Sequence, residues 1–194
     1  LELGRALRRL GRYEEAEAAF ERTNNLRPSW WVGYYRMSFV FIDKGEYEAA
    51  ANRFRRKTEL APENAVGFNN LGSLLKYLDR QEDAQAMFLR SIEIEPNADA
   101  YSNLGTLAFE DARFGDAAGF FNKAVELDPD KYGLWGNLAS AYHWGGDLNR
   151  AQTAYARALL LGEKRLESRP LDVDLHATLA GYFGMVGEHA RGME

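Results

Sequence analysis

Three histidines, His143, His176 and His189, are the only imidazoles among 194 residues, and cysteine is absent. None of the three has a partner at metal-ligand spacing, and no HExxH helix occurs. Gly145-Gly146 reads as a turn between helices rather than a phosphate-cradling loop, and no serine nucleophile elbow is present. Without cysteine there is no disulfide framework, thiolate metal site or cysteine nucleophile, and that usage suits a reducing, cytoplasmic compartment. No catalytic residue, metal or cofactor is expected. The residues whose types and spacing could act are those of recognition. Asn70, Asn103 and Asn137 recur at one position, with Arg36 in the same place of an earlier segment. A carboxamide both donates and accepts, so a row of them can pair with the backbone of an extended peptide without reading its side chains. Beside them Tyr35, Phe39, Tyr77, Phe109, His143 and Trp144 place rings at solvent-facing helical positions, which are enriched at interfaces and suit apolar side chains. Arg5, Arg8, Arg9 and Arg36 have no acidic neighbour on their expected face and would favour a carboxylate or the acidic end of a peptide. The plainer alternatives are an asparagine that is merely common at its position, rings that pack on a neighbouring segment, and an ordinary solvated charge face.

The elements that must position these residues are helices set out by proline. Pro28, Pro62, Pro96, Pro129 and Pro170 stand 34, 34, 33 and 41 residues apart. Proline lacks the N–H donor and clashes with the preceding turn, so each ends a unit. Ser29, Asn64, Asn97, Asp130 and Asp172 follow as expected N-caps. Aligned on the prolines, a small residue recurs in the first helix as Gly4, Ser38, Gly72, Gly105, Ala139 and Ala180. A second small residue follows in the next helix as Ala16, Ala50, Ala84, Ala117 and Ala151, with a ring four residues later at Phe20, Phe54, Phe88, Phe121 and Tyr155. A large ring opens the first helix as Tyr34, Phe68, Tyr101 and Trp135, where the last copy has His176, expected as a buried or half-buried ring. Gly11, Gly45, Gly146 and Gly187 mark the turn within each pair, replaced by Asp79 and Ala112 in the middle.

This pattern resembles the tetratricopeptide repeat over essentially the whole chain. The resemblance implies an all-α, right-handed superhelical solenoid of antiparallel helix pairs, about eleven helices in one continuous array. Its expected repeats are 1–30 (partial), 31–64, 65–97, 98–131, 132–172 and 173–194 (partial). The 41-residue spacing adds seven residues, about two helical turns, which preserves the facing side and predicts one long helix from Asp147 to about Ser168. Leu159, Leu160, Leu161 and Leu166 are its expected apolar side. Such a helix is similar to those of tetratricopeptide regions in bacterial multidomain signalling proteins. The asparagine row is similar to that of O-linked N-acetylglucosamine transferase. The chaperone-binding carboxylate clamp of some members is not expected, because Val66, Asp99 and Gly133 stand where a lysine should be. A second basic run, Arg53, Arg55, Arg56 and Lys57, is expected on the outer, solvated surface.

Apolar residues at 46% can build a core, charged residues at 27% describe a mixed surface, and a net charge of −5 argues against a nucleic-acid partner. No apolar run approaches a membrane span, which needs about 18 residues. Opening on Leu1, the chain reads as a piece of a longer protein. The expected function is a protein–protein interaction scaffold that holds a partner segment in the concave groove. Alternatives are a regulatory or substrate-docking arm of a larger enzyme, and a structural spacer or oligomerisation module. The apolar stripe Leu175, Leu179, Tyr182, Phe183 and Val186 of the last repeat is expected to support self-association.

Overall fold

Each turn inside a helix pair closes with the same two backbone bonds, and that local chemistry sets the architecture. The computed structural model describes residues 1–192, with side chains through Gly187. Among the described residues every element is a helix: α1 (Glu2–Arg9), α2 (Tyr13–Leu26), α3 (Trp31–Lys44), α4 (Tyr47–Leu60), α5 (Ala65–Tyr77), α6 (Gln81–Ile94), α7 (Ala98–Glu110), α8 (Phe114–Leu127), α9 (Tyr132–Trp144), α10 (Leu148–Ser168) and α11 (Val173–Gly192). They form two compact units, Leu1–Pro96 with α1 to α6 and Asn97–Glu194 with α7 to α11.

At the turns Gly11, Gly45 and Gly146 adopt φ of 72°, 77° and 84°. Asp79 and Ala112 adopt 58° and 57° in the same left-handed region without glycine's freedom. The next N–H reaches back five residues each time: Arg12 to Leu7, Glu46 to Phe41, Arg80 to Leu75, Arg113 to Ala108 and Asp147 to Tyr142, at 2.8–3.0 Å. This is the Schellman closure, which satisfies carbonyls a helix end would leave open. Gly187 behaves differently. It lies inside α11, which continues unbroken to Gly192, so the sixth turn expected there does not form. Glycine permits a left-handed residue but does not impose one.

Of the expected N-caps, Asn64, Asn97 and Asp172 accept from the N–H of Gly67, Ala100 and Leu175. Ser29 and Asp130 do not cap, because α3 and α9 start one residue later, with Trp30 and Lys131 at the cap position. Rings close those junctions instead. The Tyr34 hydroxyl donates to the Pro28 carbonyl at 3.3 Å, and Trp135 Nε1 to that of Pro129 at 2.8 Å. His176 Nε2 lies 3.0 Å from the Pro170 carbonyl, which requires the Nε2–H tautomer. His176 is exposed rather than buried, a correction to the expectation for it.

The two aligned columns of the second helices form the core. Ala16, Ala50, Ala84, Ala117 and Ala151 are fully buried, and Phe20, Phe54, Phe88, Phe121 and Tyr155 nearly so. Small residues in the first helices let the rings approach: a Cβ on Gly105 would lie 2.6 Å from Phe121 Cε1. Ala180, the sixth member of that small column, is exposed. α10 runs 21 residues against 14 for α8, capped by Asp147, as the long spacing predicts. Leu159 is buried on its inner side while Leu160 faces solvent, against expectation, because adjacent residues point about 100° apart on a helix. No helix among the described residues is long and apolar enough to cross a membrane.

Candidate functional site

In Leu1–Pro96 the candidate surface is built on α3. Trp31, Tyr35 and Phe39 recur every four residues and so share a face. Their rings meet edge-on, with centroids 6.0 and 5.1 Å apart, and Phe54 of α4 lies 6.1 Å from Tyr35 and 5.8 Å from Phe39. Asn70 on α5 donates to the Tyr35 hydroxyl at 3.3 Å, so the structure brings Tyr35, Phe39 and Asn70 together. Tyr77, the last residue of α5, is exposed and leans on Tyr47 at 4.5 Å.

The arginines do not form an uncompensated group. Arg8 makes a two-point ion pair with Asp43, Nε to Oδ2 at 2.6 Å and Nη2 to Oδ1 at 3.1 Å, and its guanidinium lies 5.3 Å from the Phe39 ring. Arg5 binds Glu2 at 3.0 Å, while Arg9 is exposed. Asp43 lies 35 residues from Arg8, a pairing no local pattern announces. Arg36 is the exception: it sits 5.5 Å from the Tyr35 ring, and its buried Nε has no hydrogen-bond partner.

Lys57 overturns the outer-surface expectation. Arg53, Arg55 and Arg56 stay on the surface or partly so, but Lys57 is 1% exposed. Its ammonium lies 4.1 Å from the Tyr35 ring centroid and 5.0 Å from that of Trp31, and burial pushes its pKa down to about 8. The stem runs along Gly67, where a Cβ would come within 3.2 Å of Lys57 Cε. One junction earlier, the Asn24 amide is buried against Gly33, where a Cβ would collide with Oδ1. Lys57 and Trp31 pack into this cluster of candidate residues, a placement that sequence reasoning missed. The available signal was the column three residues after each core ring, where Thr23, Ser91, Ala124 and Ala158 are small and Lys57 alone is long.

In Asn97–Glu194 the structure gathers more of the expected residues. Phe109, Asn137 and Trp144 line one cavity of about 190 Å³ with Thr106, Phe121 and Ser140. The hydroxyls are already engaged: Thr106 donates to the Ser102 carbonyl at 2.9 Å, and Ser140 to that of Gly136 at 3.0 Å. The lining is therefore mostly apolar, with the exposed Asn137 carboxamide at its edge. Phe114 links the rings, 5.3 Å from Phe109 and 6.5 Å from Trp144, and His143 meets Trp144 edge-on at 5.4 Å. Asn103 is half-buried on α7. Asp99 pairs with Lys131 at 2.8 Å.

Family models described as tetratricopeptide repeat match residues 1–29, 69–132 and 108–180. No curated protein matches. Among solved structures, MamA is 21% identical with a TM-score of 0.76, covering 86% of this chain and 98% of its own. PilF of Pseudomonas aeruginosa is 22% identical at 0.70, covering 93% and 86%. YrrB, described as a TPR protein with an unusual peptide-binding site, is 22% identical at 0.66, covering 91% and 89%.

Proposed function

We propose, since the chain belongs to the tetratricopeptide-repeat family, that it is a protein-interaction scaffold holding an extended segment of a partner along its first helices. The observation that carries this reading is the cavity lined by Phe109, Asn137 and Trp144. An apolar hole of about 190 Å³ with a free carboxamide at its edge suits one large apolar side chain and the peptide bond beside it. Asn70 and Asn103 take the same backbone-pairing role, Tyr35, Phe39, Tyr77 and His143 flank the segment, and Arg36, Arg9, Arg5 and Arg8 orient its acidic end. Arg5 and Arg8 contribute least, because each already has a carboxylate. On this reading residues 1–194 act as one array and work in a reducing, cytoplasmic compartment, which the lack of cysteine suits.

The test is capture from native lysate by the parent chain and by a variant carrying Asn70→Ala, Asn103→Ala and Asn137→Ala, with circular dichroism confirming that the variant folds. Partners held by the parent and lost by the variant support the groove reading. Identical captures by both reject it.

A second reading is self-association, but not through the whole stripe expected to support it: Leu175 and Leu179 are buried in a cluster with Leu159 of α10, and Tyr182 and Val186 are half-buried against that cluster. Of the stripe Phe183 stays exposed, at 53%, and Leu171 and Val173, 90% and 76% exposed around the start of α11, add to it.

A further inference from the structure

Around Tyr35 in Leu1–Pro96, three donors meet no acceptor. The Lys57 ammonium, 4.1 Å from the Tyr35 ring and 5.0 Å from Trp31, has no hydrogen bond or ion pair among the described residues. Arg36 lies 5.5 Å from the same Tyr35 ring, with its Nε buried and unpartnered. The Tyr35 hydroxyl accepts from Asn70 at 3.3 Å, and its own proton has no acceptor among the described residues. Ring faces compensate a buried cation only in part, and such charges are ordinarily matched by an anion. The neighbouring elements do not supply one. α1 brings Arg8, bound to Asp43, and Arg5, bound to Glu2. The end of α3 brings Lys44, bound to Glu17 and Glu46. α4 brings Arg53 beside the Phe41 ring and Arg56 bound to Glu59, and α5 brings Lys76. The carboxylates among these groups are each held by another cation.

We propose that Arg36, the Tyr35 hydroxyl and the buried ammonium of Lys57 form the receptor for one carboxylate of a glutamate- or aspartate-bearing partner segment. Arg36 and Tyr35 donate to it directly, and Lys57 supplies positive charge from inside the fold. This deepens the groove reading and rests on it. The occupant is fixed by charge complementarity: two cations, no anion, and a hydroxyl with a proton to give. A bound carboxylate favours the charged form of Lys57 and raises its pKa from about 8. Affinity is therefore highest where Lys57 is protonated and falls as pH rises through about 8.

The test is fluorescence anisotropy of fluorescein-labelled hexaglutamate with the whole chain, between about pH 7 and about pH 9.5 at constant ionic strength, with hexaglutamine as control. If the carboxylate raises the Lys57 pKa by about one unit, Kd weakens about tenfold across that range. Lys57→Met, which keeps the volume and removes the buried charge, is expected to fold and bind with no pH dependence. Arg36→Gln is expected to weaken binding about tenfold at the lower pH, the scale of one lost charge-assisted bond. A pH-independent Kd in the parent, an unchanged pH profile in Lys57→Met, or equal binding of hexaglutamine overturns the proposal. Displacement of hexaglutamate by inorganic phosphate but not by acetate overturns the assignment to a carboxylate. Asn103→Ala with Asn137→Ala lies in Asn97–Glu194 and separates the two readings. If that variant keeps its lysate partners while hexaglutamate binding stays proton-linked, the groove reading fails and the carboxylate receptor stands.

Discussion

A lysine ammonium held against two rings with no carboxylate has a cost that depends on pH. The folded pKa of Lys57, about 8, lies below its ordinary 10.5. Below pH 8 both folded and unfolded chains carry the proton, and the full cost is present. Between about 8 and 10.5 the folded chain has released a proton that the unfolded chain keeps, so this group makes stability rise with pH across that window. Lys57→Met is expected to stabilise the chain by about 2 kcal/mol at neutral pH, and the gap to the parent should narrow toward pH 10. Urea midpoints of both proteins at the two pH values check this, and a constant gap would refute the assignment. Ala112 offers a cleaner residue-scale change. It sits at φ 57° with no glycine to ease it, so Ala112→Gly is expected to gain about 0.5–1 kcal/mol in thermal unfolding. Where Lys57 would point was not legible in the sequence. A run of four basic residues reads as a solvated face, and only the size of its column neighbours contradicts that.

Elements were the most legible level. Proline spacing placed the helix pairs, and the extra seven residues before Pro170 correctly foretold the long α10. Two errors share one cause: sequence shows which residues can cap or turn, not which do. Asn64→Ala and Asn97→Ala should each cost about 1 kcal/mol, whereas Ser29→Ala and Asp130→Ala should cost almost nothing. Differential scanning calorimetry of the four variants distinguishes the groups. Close approach gives a second element-scale prediction. Gly105→Ala would set a Cβ 2.6 Å from a Phe121 ring carbon, and the required shift should destabilise by about 1–3 kcal/mol in urea titration. Among the candidate site residues, Asn137 and Trp144 stand seven residues, about two turns, apart on α9, so their shared face was legible, while Phe109 reaches the same cavity from α7 through packing. The Arg8–Asp43 pair was not, since nothing local links residues 35 apart.

At the scale of the whole molecule, charge is unevenly placed. Residues 1–96 hold 15 basic and 15 acidic side chains, and residues 97–194 hold 9 and 14, so all of the net −5 belongs to the second segment. An acidic partner segment would therefore meet less repulsion in Leu1–Pro96, where Arg36 and Lys57 lie. The exposed Leu171, Val173 and Phe183 belong to this scale too. Sedimentation velocity across a concentration series is expected to show association that Phe183→Glu weakens, and a monomer at every concentration would end that reading. The matched pairs at the helix junctions carry a different consequence. Asn24 fits because Gly33 faces it and Lys57 fits because Gly67 does, whereas Ala124 and Leu134 share a buried cluster with the sizes reversed. The repeats look alike in outline, yet their junctions are keyed. A gene duplication that set the helix bearing Lys57 before one bearing Leu134 would force an ammonium stem into an isobutyl group. Shuffled or duplicated copies of these units should therefore fail at the seams, and lineages that lengthen such an array must change both sides of a junction together.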